Sequence, residues 1–331
     1  HFLFKKIYSI YKMGIKNLHS FLKKVNSNLY TTINLSDLRN KRIAIDTSIF
    51  MCKYKSIYGD KWMKGFHQLI TCLQSYSIKL FFVFDSKAPV EKLQEQQNRT
   101  EMKNKNKERI ELINKNWEEY ENMNIPFEIN NFKELLNTKF HHLNKFLEKY
   151  EYKSKDDIIQ ILYKLENSVI NIKQNDFSLL KELLRLYNIS IVIAESEAEA
   201  TCAMMNRKDI VDGVLTEDTD VLAYGAFNMY HNLNMKEQTI KVVSFENILT
   251  ELNVSKEQFL DLCILCGTDY NKNIYKVGPK KAYDLLKKHE SIDNFTIDTS
   301  ILNHIRVREL FCPKYDTFNI ISNDDDIMKK D

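Results

Sequence analysis

The chain has 331 residues and is poor in three residue types, with 7 glycines, 4 prolines and 2 tryptophans, whereas Lys, Asn and Ile are frequent. An AT-rich genome produces the same bias, so these scarcities carry no functional information. No apolar run is long enough to cross a membrane, so no membrane partner is expected. The six cysteines are scattered and lack the spacing of secreted disulfide frameworks, which favours a reducing, intracellular setting.

The CxxC motif and the net charge exclude few further classes of protein. Cys263 and Cys266 form a CxxC pair, but a structural zinc site needs four ligands and no second pair follows, so we expect two buried apolar cysteines. The chain has 48 Lys and Arg against 45 Asp and Glu, a net charge of +3. Basic and acidic surfaces could coexist and cancel in this sum, so net charge does not exclude a polyanionic partner.

What the chain does contain is a repeated pattern in which an apolar run ends in acidic residues. The stretches "KRIAIDTS", "KLFFVFDS", "NISIVIAESE" and "DGVLTEDTD" all show it. Such runs predict buried parallel strands separated by helices. Because ligands bind beyond the carboxyl ends of such strands, we expect these acidic side chains to converge: Asp46, Asp85, Glu197, Glu199, Asp218 and Asp220.

The alternative is that each acidic residue only caps the helix that follows its strand. Capping would account for one or two instances better than for four. Ser196 and Glu199 also fit a capping box at the start of a helix. Capping and ligand binding are compatible, because a helix start presents its first turn beyond the ends of the strands.

A cluster of carboxylates has to be compensated, because like charges in a cleft of low dielectric constant repel strongly. Oxygen ligands without His or Cys favour Mg²⁺ or Mn²⁺ over zinc. Two such ions about 4 Å apart hydrolyse phosphodiesters, one by activating water and the other by stabilising the leaving oxygen. With basic helices nearby, the substrate class that this chemistry indicates is nucleic acid.

Two basic segments accompany the acidic pattern. Residues 91–180 form a long polar run that predicts a helical insertion. One face of its first helix carries Lys92, Gln96, Arg99 and Lys103. That face could grip phosphates or could simply be solvated. Further on, a Gly–Pro turn precedes a basic helix, and either an anion at the helix N-terminus or an ordinary turn would explain it.

These motifs are specific enough to compare with a known family. The chain contains, in order, the stretches "MGIKNLHSFL", "IAIDTS", "FVFDSKAP", "ESEAEATCA", "TEDTDVLAYG", "FLDLCILCGTDY", "VGPKKAYDLLKKH" and "RELFCP". In this series it resembles the flap endonuclease branch of the XPG-type structure-specific 5′ nuclease family. The similarity runs from Met13 to about Pro313, with an unmatched middle segment.

The resemblance implies an α/β fold with a mostly parallel central sheet and helices on both faces, a PIN-like nuclease core. A helical arch insertion and a helix–two-turn–helix element complete the expected fold. The implied boundaries are a non-native extension of residues 1–12, a single nuclease domain of residues 13–320 and a polar tail of residues 321–331. Within the domain, the core would comprise residues 13–90 and 180–270. The arch or cap would comprise about 91–180, and the helix–two-turn–helix element about 256–292.

The resemblance also assigns roles to individual residues. The metal ligands would be Asp46, Asp85, Glu197, Glu199, Asp218, Asp220 and Asp269, of which the pattern of strands alone does not indicate the last. Lys92 and Arg99 stand where the family has its catalytic basic pair, which neutralises charge on the scissile phosphate. The implied DNA-binding residues are Gly14, Lys103, Gly278, Lys280 and Lys281. The implied cofactors are two Mg²⁺ ions, for which Mn²⁺ could substitute, and K⁺ at the helix–two-turn–helix turn.

The sequence departs from the family pattern at several points. Lys276 replaces the first glycine of the family's GxGPKRA turn. Cys52 replaces a base-stacking tyrosine, for which Phe50 or Tyr54 could substitute. Glu195 stands where the family commonly has proline, so we interpret it as a bystander. The segment before Asp85 is shorter than usual and the arch is longer.

The function expected from these features is a structure-specific 5′ flap endonuclease and 5′–3′ exonuclease acting on DNA in replication and repair. A Holliday-junction resolvase or a general 5′ exonuclease of the same superfamily is the first alternative, and a catalytically weak junction-binding protein is the second. The expected partner is branched or flapped double-stranded DNA, bound by a monomer, and no tail that would bind a sliding clamp is visible. The expected location is intracellular, nuclear in a eukaryote or at the replication site of a virus.

Overall fold

The computed structural model describes residues 14–123, 125–126, 128–136, 147, 154–169, 171–313 and 318–321. The expected extension of residues 1–12, the expected start at Met13 and the tail beyond residue 321 lie outside the described residues. Over the ranges just given, no helix combines the length and the apolar character that crossing a membrane requires. Cys263 and Cys266 are buried free thiols, as the sequence predicts.

A mixed sheet of eight strands forms the centre of the described structure. The strands are β1 Thr31–Asn34, β2 Arg42–Asp46, β3 Lys79–Phe84, β4 Ser190–Ile193, β5 Gly213–Leu215, β6 Asn228–Asn234, β7 Thr239–Ser244 and β8 Asn319–Ile321. Their order in the sheet is β1-β7-β6-β5-β2-β3-β4-β8. The pairings from β6 to β4 are all parallel, and antiparallel pairing adds β7, β1 and β8 at the two edges. The predicted mostly parallel sheet is confirmed.

Helices connect the strands and cover both faces of the sheet. They are α1 Leu18–Val25, α2 Thr47–Tyr58, α3 Met63–Gln74, α4 Leu93–Asn122, α5 Lys155–Ser168, α6 Gln174–Leu186, α7 Ala198–Arg207, α8 Asp220–Ala223, α9 Phe245–Leu252, α10 Lys256–Cys266, α11 Pro279–His289 and α12 His304–Phe311. A short 3₁₀ turn, Val90–Lys92, precedes α4. Residues 129–136 are also helical.

The alternation of side chains along the strands divides the core into two layers. In β2, Ile43 and Ile45 point to the face covered by α2, α3 and α6, whereas Ala44 points to the face covered by α1, α7 and α10. All three residues are fully buried. Because helices cover both faces, the central strands are apolar throughout, and polar groups are left to their ends.

The polar insertion has an apolar cluster of its own. α4 has 30 residues, and its buried positions begin only at Ile110. Trp117 packs edge to face against Phe132, with ring centroids 5.2 Å apart, in a cluster that includes residues of α5. The first half of α4 therefore leaves the sheet as a polar helix, and its second half packs within the insertion.

Two neighbouring histidines lie away from the carboxyl ends of the strands. His231 in β6 is only 4% exposed, and its Nε2 has no hydrogen-bond partner among the described residues. Its ring lies 5.0 Å from that of His19, which shares a hydrogen bond of 2.6 Å with the Tyr30 hydroxyl. Burial, with the nearby charges of Lys23 and Lys241, lowers the pKa of His19 to about 4 and contributes to lowering that of His231 to about 3.

These two histidines should make the fold sensitive to acid. Their pKa in the folded chain lies below the unfolded value of 6.5, so the unfolded chain binds more protons and stability falls as pH drops below that value. In His231→Phe, the loss of unfolding free energy between pH 6.5 and about 4.5 should shrink by about 2 kcal/mol. Denaturant unfolding at several pH values measures this difference, in which the contributions of unchanged carboxylates cancel.

The companion variant is His19→Phe, because the His19 ring lies 5.0 Å from that of His231. Its pKa is lowered to about 4, so this variant should reduce the pH dependence in the same direction. An unchanged pH dependence in His231→Phe would contradict the assignment of the acid sensitivity to the buried pair.

Candidate active site

Four strands deliver acidic side chains to one edge of the sheet. Asp46 is the last residue of β2, and Asp85 directly follows β3. Asp218 follows β5 by three residues, and Asp220 begins α8. Because β2, β3, β4 and β5 are parallel, their carboxyl ends lie together. The predicted convergence follows directly from this topology.

Hydrogen bonds tie the acidic residues after β5 to the end of β2. The Thr216 hydroxyl donates to Asp46 Oδ2 at 3.0 Å and accepts from the Asp218 backbone N–H at 3.0 Å. The Asp220 N–H donates in turn to Asp218 Oδ1 at 2.8 Å. Thr216 therefore links the Asp46 carboxylate to the backbone of Asp218. Sequence reasoning missed it, although it stands within the "TEDTD" stretch.

The stretch "AESEAEA" begins α7, but not as the capping box that the sequence suggests. The N-cap residue is Glu197, and its side chain makes no capping hydrogen bond. Asp85 Oδ1, from the neighbouring strand end, accepts the Ala198 N–H at 2.7 Å instead. The Ser196 hydroxyl donates to the Lys87 carbonyl at 3.1 Å. The prediction that Ser196 and Glu199 cap each other is wrong, because a carboxylate distant in sequence supplies the acceptor.

The three glutamates of the "AESEAEA" stretch differ in environment. Glu197 is buried, at 5% exposure, and Glu199 is partly buried. Glu195 is exposed, which agrees with its interpretation as a bystander. The Tyr270 hydroxyl donates to Glu197 Oε2 and bonds to the Tyr224 hydroxyl at 2.6 Å. Tyr270 was also missed by sequence reasoning, although it directly follows Asp269 in the "GTDY" stretch.

Burial and the charges of neighbouring carboxylates raise the pKa values of Asp46 and Glu199. Burial raises the pKa of Asp46 to about 8, with further contributions from the charges of Asp85 and Asp218. Burial also raises the pKa of Glu199 well above its usual range, and Asp46 and Asp85 add to the effect. The charges of Asp85 and Asp218 act on Asp46, and those of Asp46 and Asp85 act on Glu199, so the four side chains form one group.

The carboxylates on the β5 side belong to the same group. Burial raises the pKa of Asp218 to about 6, with the charge of Asp269 as the next cause. Burial raises the pKa of Asp220 well above its usual range, and Asp218 and Asp269 add to it. Asp269 therefore joins the cluster through space, although it follows α10 rather than a strand of the sheet. This explains why the strand pattern alone did not indicate it.

Two basic side chains from the start of the insertion lie among these carboxylates. Lys92 forms an ion pair with Glu197 and a second one, of 3.3 Å, with Asp269 Oδ2. The Arg99 guanidinium donates to both oxygens of Asp269, at 2.8 and 2.7 Å. Burial lowers the pKa of Lys92, but the charges of Glu199, Glu197 and Asp269 outweigh burial and raise it. Lys92 and Arg99 therefore offset part of the negative charge of the site.

The chemistry of these donors, though not their present arrangement, fits a hard divalent cation. Asp46 Oδ1 and Asp220 Oδ1 are buried and lack a hydrogen-bond partner among the described residues. Unpartnered buried carboxylate oxygens are costly, and a cation of the Mg²⁺ type would satisfy them. Within the same described residues, no three carboxylate, histidine or cysteine side chains stand in an arrangement that could hold one ion. In this arrangement Glu197 and Asp269 bind Lys92 and Arg99.

Gly14 lies against the acidic cluster. Its backbone is left-handed, with φ +77°, and a Cβ atom there would meet Asp218 Oδ1, Thr219 Oγ1 at 2.5 Å and Thr219 N at 2.8 Å. The next residue, Ile15, donates its N–H to Thr219 Oγ1 at 2.9 Å. Both the conformation and the close approach require glycine. The structure thus brings the predicted Gly14 to the carboxylates.

Lys103 lies one helical turn beyond Arg99 and is partly exposed. Its charge and that of Arg99 act on the Cys52 thiol, whose pKa burial and Asp46 raise to about 11. Phe50 and Tyr54 are 0% and 2% exposed, respectively. The suggestion that either could stack on a base in place of the family's tyrosine is therefore wrong, because both rings are packed in the core.

The remaining predicted contacts form a second group around α11. Gly278 is its exposed N-cap, and Lys280 is exposed and pairs with Asp284 at 2.5 Å. Lys281 is exposed as well. Lys276, which replaces the family's glycine, adopts a left-handed conformation with φ +59°. The turn keeps a glycine-like backbone although a lysine occupies it.

Comparisons with known proteins show the family of the chain. The XPG N-terminal domain model matches residues 13–106, and the XPG I-region model matches residues 188–269. The probable RAD2-like endonuclease 076L of Invertebrate iridescent virus 3 is 34% identical over 327 residues, which cover 90% of this chain and 85% of the relative. Flap endonuclease 1 of Cryptosporidium muris is 29% identical, over 90% of this chain and 62% of its own.

Solved structures support the same fold. Flap endonuclease-1 from Methanococcus jannaschii superimposes with a TM-score of 0.57 at 22% identity, over 88% of this chain and 84% of its own. The catalytic core of Rad2 in complex with DNA superimposes with a TM-score of 0.60 at 18% identity, over 90% of this chain and 86% of its own. The fold is thus that of an α/β nuclease core. The chain belongs to the XPG family, which includes the RAD2-like endonucleases.

A methyl group at Gly14 should damage the fold at the site. The left-handed backbone alone costs an L-residue about 1–2 kcal/mol, and the clash with Thr219 N adds to it. We expect Gly14→Ala to lower the free energy of unfolding by at least that amount, as measured by denaturant unfolding. The matched control is Gly278→Ala, where φ is −106° and no atom lies within 4 Å of the added Cβ. Equal stability losses in the two variants would contradict the described packing.

Proposed function

We propose that this chain is a structure-specific DNA endonuclease that cuts 5′ flaps at branched junctions and that also acts as a 5′–3′ exonuclease. One observation carries the proposal. Acidic side chains from four parallel strands and α10 meet at one edge of the sheet, with Lys92 and Arg99 among them. The similarity to RAD2-like endonucleases along nearly the whole chain supports the assignment of this site to phosphodiester hydrolysis.

The residues that would hold divalent metal are the carboxylates of this cluster. The set consists of Asp46, Asp85, Glu197, Glu199, Asp218, Asp220 and Asp269. Bound Mg²⁺, in two sites, would lower the pKa of water and neutralise charge on the phosphoryl oxygens. A protein that only binds DNA would gain nothing from a buried anionic cluster next to a polyanion, which argues against the non-enzymatic alternative.

Lys92 and Arg99 would face the scissile phosphate. In the described structure their cationic groups are held by Glu197 and Asp269, at the mouth of the insertion. A bound phosphate would replace the two carboxylates as the partner of Lys92 and Arg99. A metal ion would replace the two basic side chains as the partner of Glu197 and Asp269. Preorganised cations at this position stabilise charge that develops in the transition state. Lys103 extends the same basic face one turn further along α4.

Duplex DNA would be held by the second basic group. Gly278, Lys280 and Lys281 present an exposed helix start and two ammonium groups, a combination that suits backbone phosphates. These contacts would add affinity without sequence preference. A K⁺ ion at the preceding turn, where Lys276 has a left-handed backbone, remains part of the proposal.

Removing one carboxylate should stabilise the protein in the absence of metal and abolish stabilisation by metal. Asp220 is buried near Asp218 and Asp269, so we expect Asp220→Asn to melt at a higher temperature than the wild type in chelator. Saturating Mg²⁺ should stabilise the wild type by about 2–3 kcal/mol at a hundredfold excess over its Kd, and should leave the variant unchanged. Thermal unfolding with and without Mg²⁺ measures both effects.

The control is Glu195→Gln, which removes an exposed carboxylate four residues before Glu199 on the same stretch. It should respond to Mg²⁺ as the wild type does. Equal responses of Asp220→Asn and wild type to Mg²⁺ would overturn the metal assignment.

Cleavage of a labelled 5′-flap duplex tests the activity itself. With Mg²⁺ we expect incision near the junction, lost on chelation and reduced on the order of 10³-fold or more in Asp218→Ala, since a metal ion contributes several kcal/mol to catalysis. Glu195→Gln should cut at the wild-type rate. Activity that persists in Asp218→Ala would refute the site, and cutting of a flap with a blocked 5′ end would favour resolvase-like access over threading of a free end.

A further inference from the structure

α12, near the end of the described chain, contacts two distant parts of the molecule. Its Arg308 reaches α10, whereas its Arg306 reaches the 3₁₀ turn that leads into the insertion. The two arginines are two residues apart, so they leave the helix on different faces. Val307 and Phe311 are buried in the core, at 0% and 1% exposure. α12 is therefore a packed helix that presents one arginine to each side.

The contact with α10 is strong in geometry. Arg308 donates to both oxygens of Asp261, at 2.7 Å each, and to Asp293 Oδ2 at 2.8 Å. Asp261 is buried, at 3% exposure, and also accepts the Ile292 N–H at 3.0 Å. Such two-pronged arginine–carboxylate pairs fix orientation as well as distance. α12 is thus held against α10, the helix that precedes Asp269.

The contact with the insertion is an ion pair between Arg306 of α12 and Glu91 in the turn before α4. Arg306 Nε donates to Glu91 Oε1 at 2.7 Å. The other oxygen, Glu91 Oε2, is buried and has no hydrogen-bond partner among the described residues. Glu91 immediately precedes Lys92, and both belong to the turn Val90–Lys92. Without Arg306, Glu91 would lose its ion pair while its Oε2 stays buried, which is costly.

Apolar packing does little to hold this turn. Its first residue, Val90, and the residue that follows it, Leu93, are 69% and 53% exposed. The polar contacts that fix it are the Glu91–Arg306 pair on one side and the pairs of Lys92 with Glu197 and Asp269 on the other. When a phosphate or a metal ion breaks the Lys92 pairs, the ion pair between Glu91 and Arg306 still holds the turn.

We propose that Arg306 is a positioning residue, which holds the turn through Glu91 so that the Lys92 ammonium group stays aimed into the carboxylate cluster. This proposal rests on the proposed function, because it assigns to Lys92 a role toward the scissile phosphate. Among the described residues, the partners of Arg306 are Glu91 and Glu309, which lie outside the acidic cluster. Through Arg308 and α12, the same contact links the base of the insertion to α10.

The test is single-turnover cleavage of the 5′-flap duplex by Arg306→Gln. We expect the maximal rate to fall about tenfold while the substrate concentration at half-maximal rate stays within about twofold, because a shift of the catalytic group affects the chemical step rather than binding. Glu91→Gln should behave in the same way, and Arg306→Lys should recover part of the rate. In a Lys92→Ala background, Arg306→Gln should cause no further loss, because it acts only through Lys92.

The matched control is Glu309→Gln. It removes the other partner of Arg306, at 2.9 Å on the same exposed helix face, and leaves the Glu91 contact intact. Its rate should equal that of the wild type. A rate in Arg306→Gln equal to that of Glu309→Gln, or an equal fractional loss with and without Lys92, would overturn the proposal.

Amide hydrogen exchange separates this proposal from the proposed function. The Lys92 N–H is bonded to the Pro89 carbonyl at 3.1 Å, and the Leu93 N–H is bonded to that of Val90. Both amides should exchange faster in Arg306→Gln than in Glu309→Gln, without DNA and without metal. If the wild type cut no DNA, the proposed function would fail while this measurement still decided whether Arg306 holds the turn. Unchanged exchange would refute that role even in an active enzyme.

Discussion

The repulsion between buried carboxylates at one edge of the sheet is the constraint on which the rest of the structure depends. Asp46, Glu199, Asp218 and Asp220 all have raised pKa values because they are buried beside one another. A fold does not retain such a cluster for stability, since replacing buried charges by other groups commonly stabilises a protein. The parallel strands that end there position the cluster. Lys92 and Arg99, which both belong to the insertion, offset part of its negative charge.

The neighbouring elements are shaped by this cluster. Asp85 serves two purposes, because it caps α7 and adds its charge to the group. Gly14 allows the start of the described chain to lie directly on Asp218 and Thr219. The insertion supplies its two cations from a turn and a helix start that have little apolar packing. Ion pairs therefore position the insertion against the sheet. The pair between Arg306 of α12 and Glu91 is one of them.

Much of this organisation could be predicted from the sequence, because short apolar runs that end in acids have few alternatives in an α/β chain. The parallel strands, the convergence of their carboxylates and the buried cysteines followed from local pattern. The partners that depend on distant residues did not. The capping of α7 by Asp85, the position of Thr216 and the contact of Arg306 with Glu91 arise only when elements more than a hundred residues apart meet. Phe50 and Tyr54 were misjudged because their neighbours in α3 and the sheet bury them.

The central claim is that divalent ions replace Lys92 and Arg99 as the partners of the acidic cluster. A crystal structure of the protein with Mn²⁺, recorded near the manganese absorption edge, tests it most directly. The account predicts anomalous density among the carboxylates at the carboxyl ends of β2, β3 and β5, with the Lys92–Glu197 and Arg99–Asp269 pairs opened. Intact ion pairs and no manganese at this edge of the sheet would contradict it.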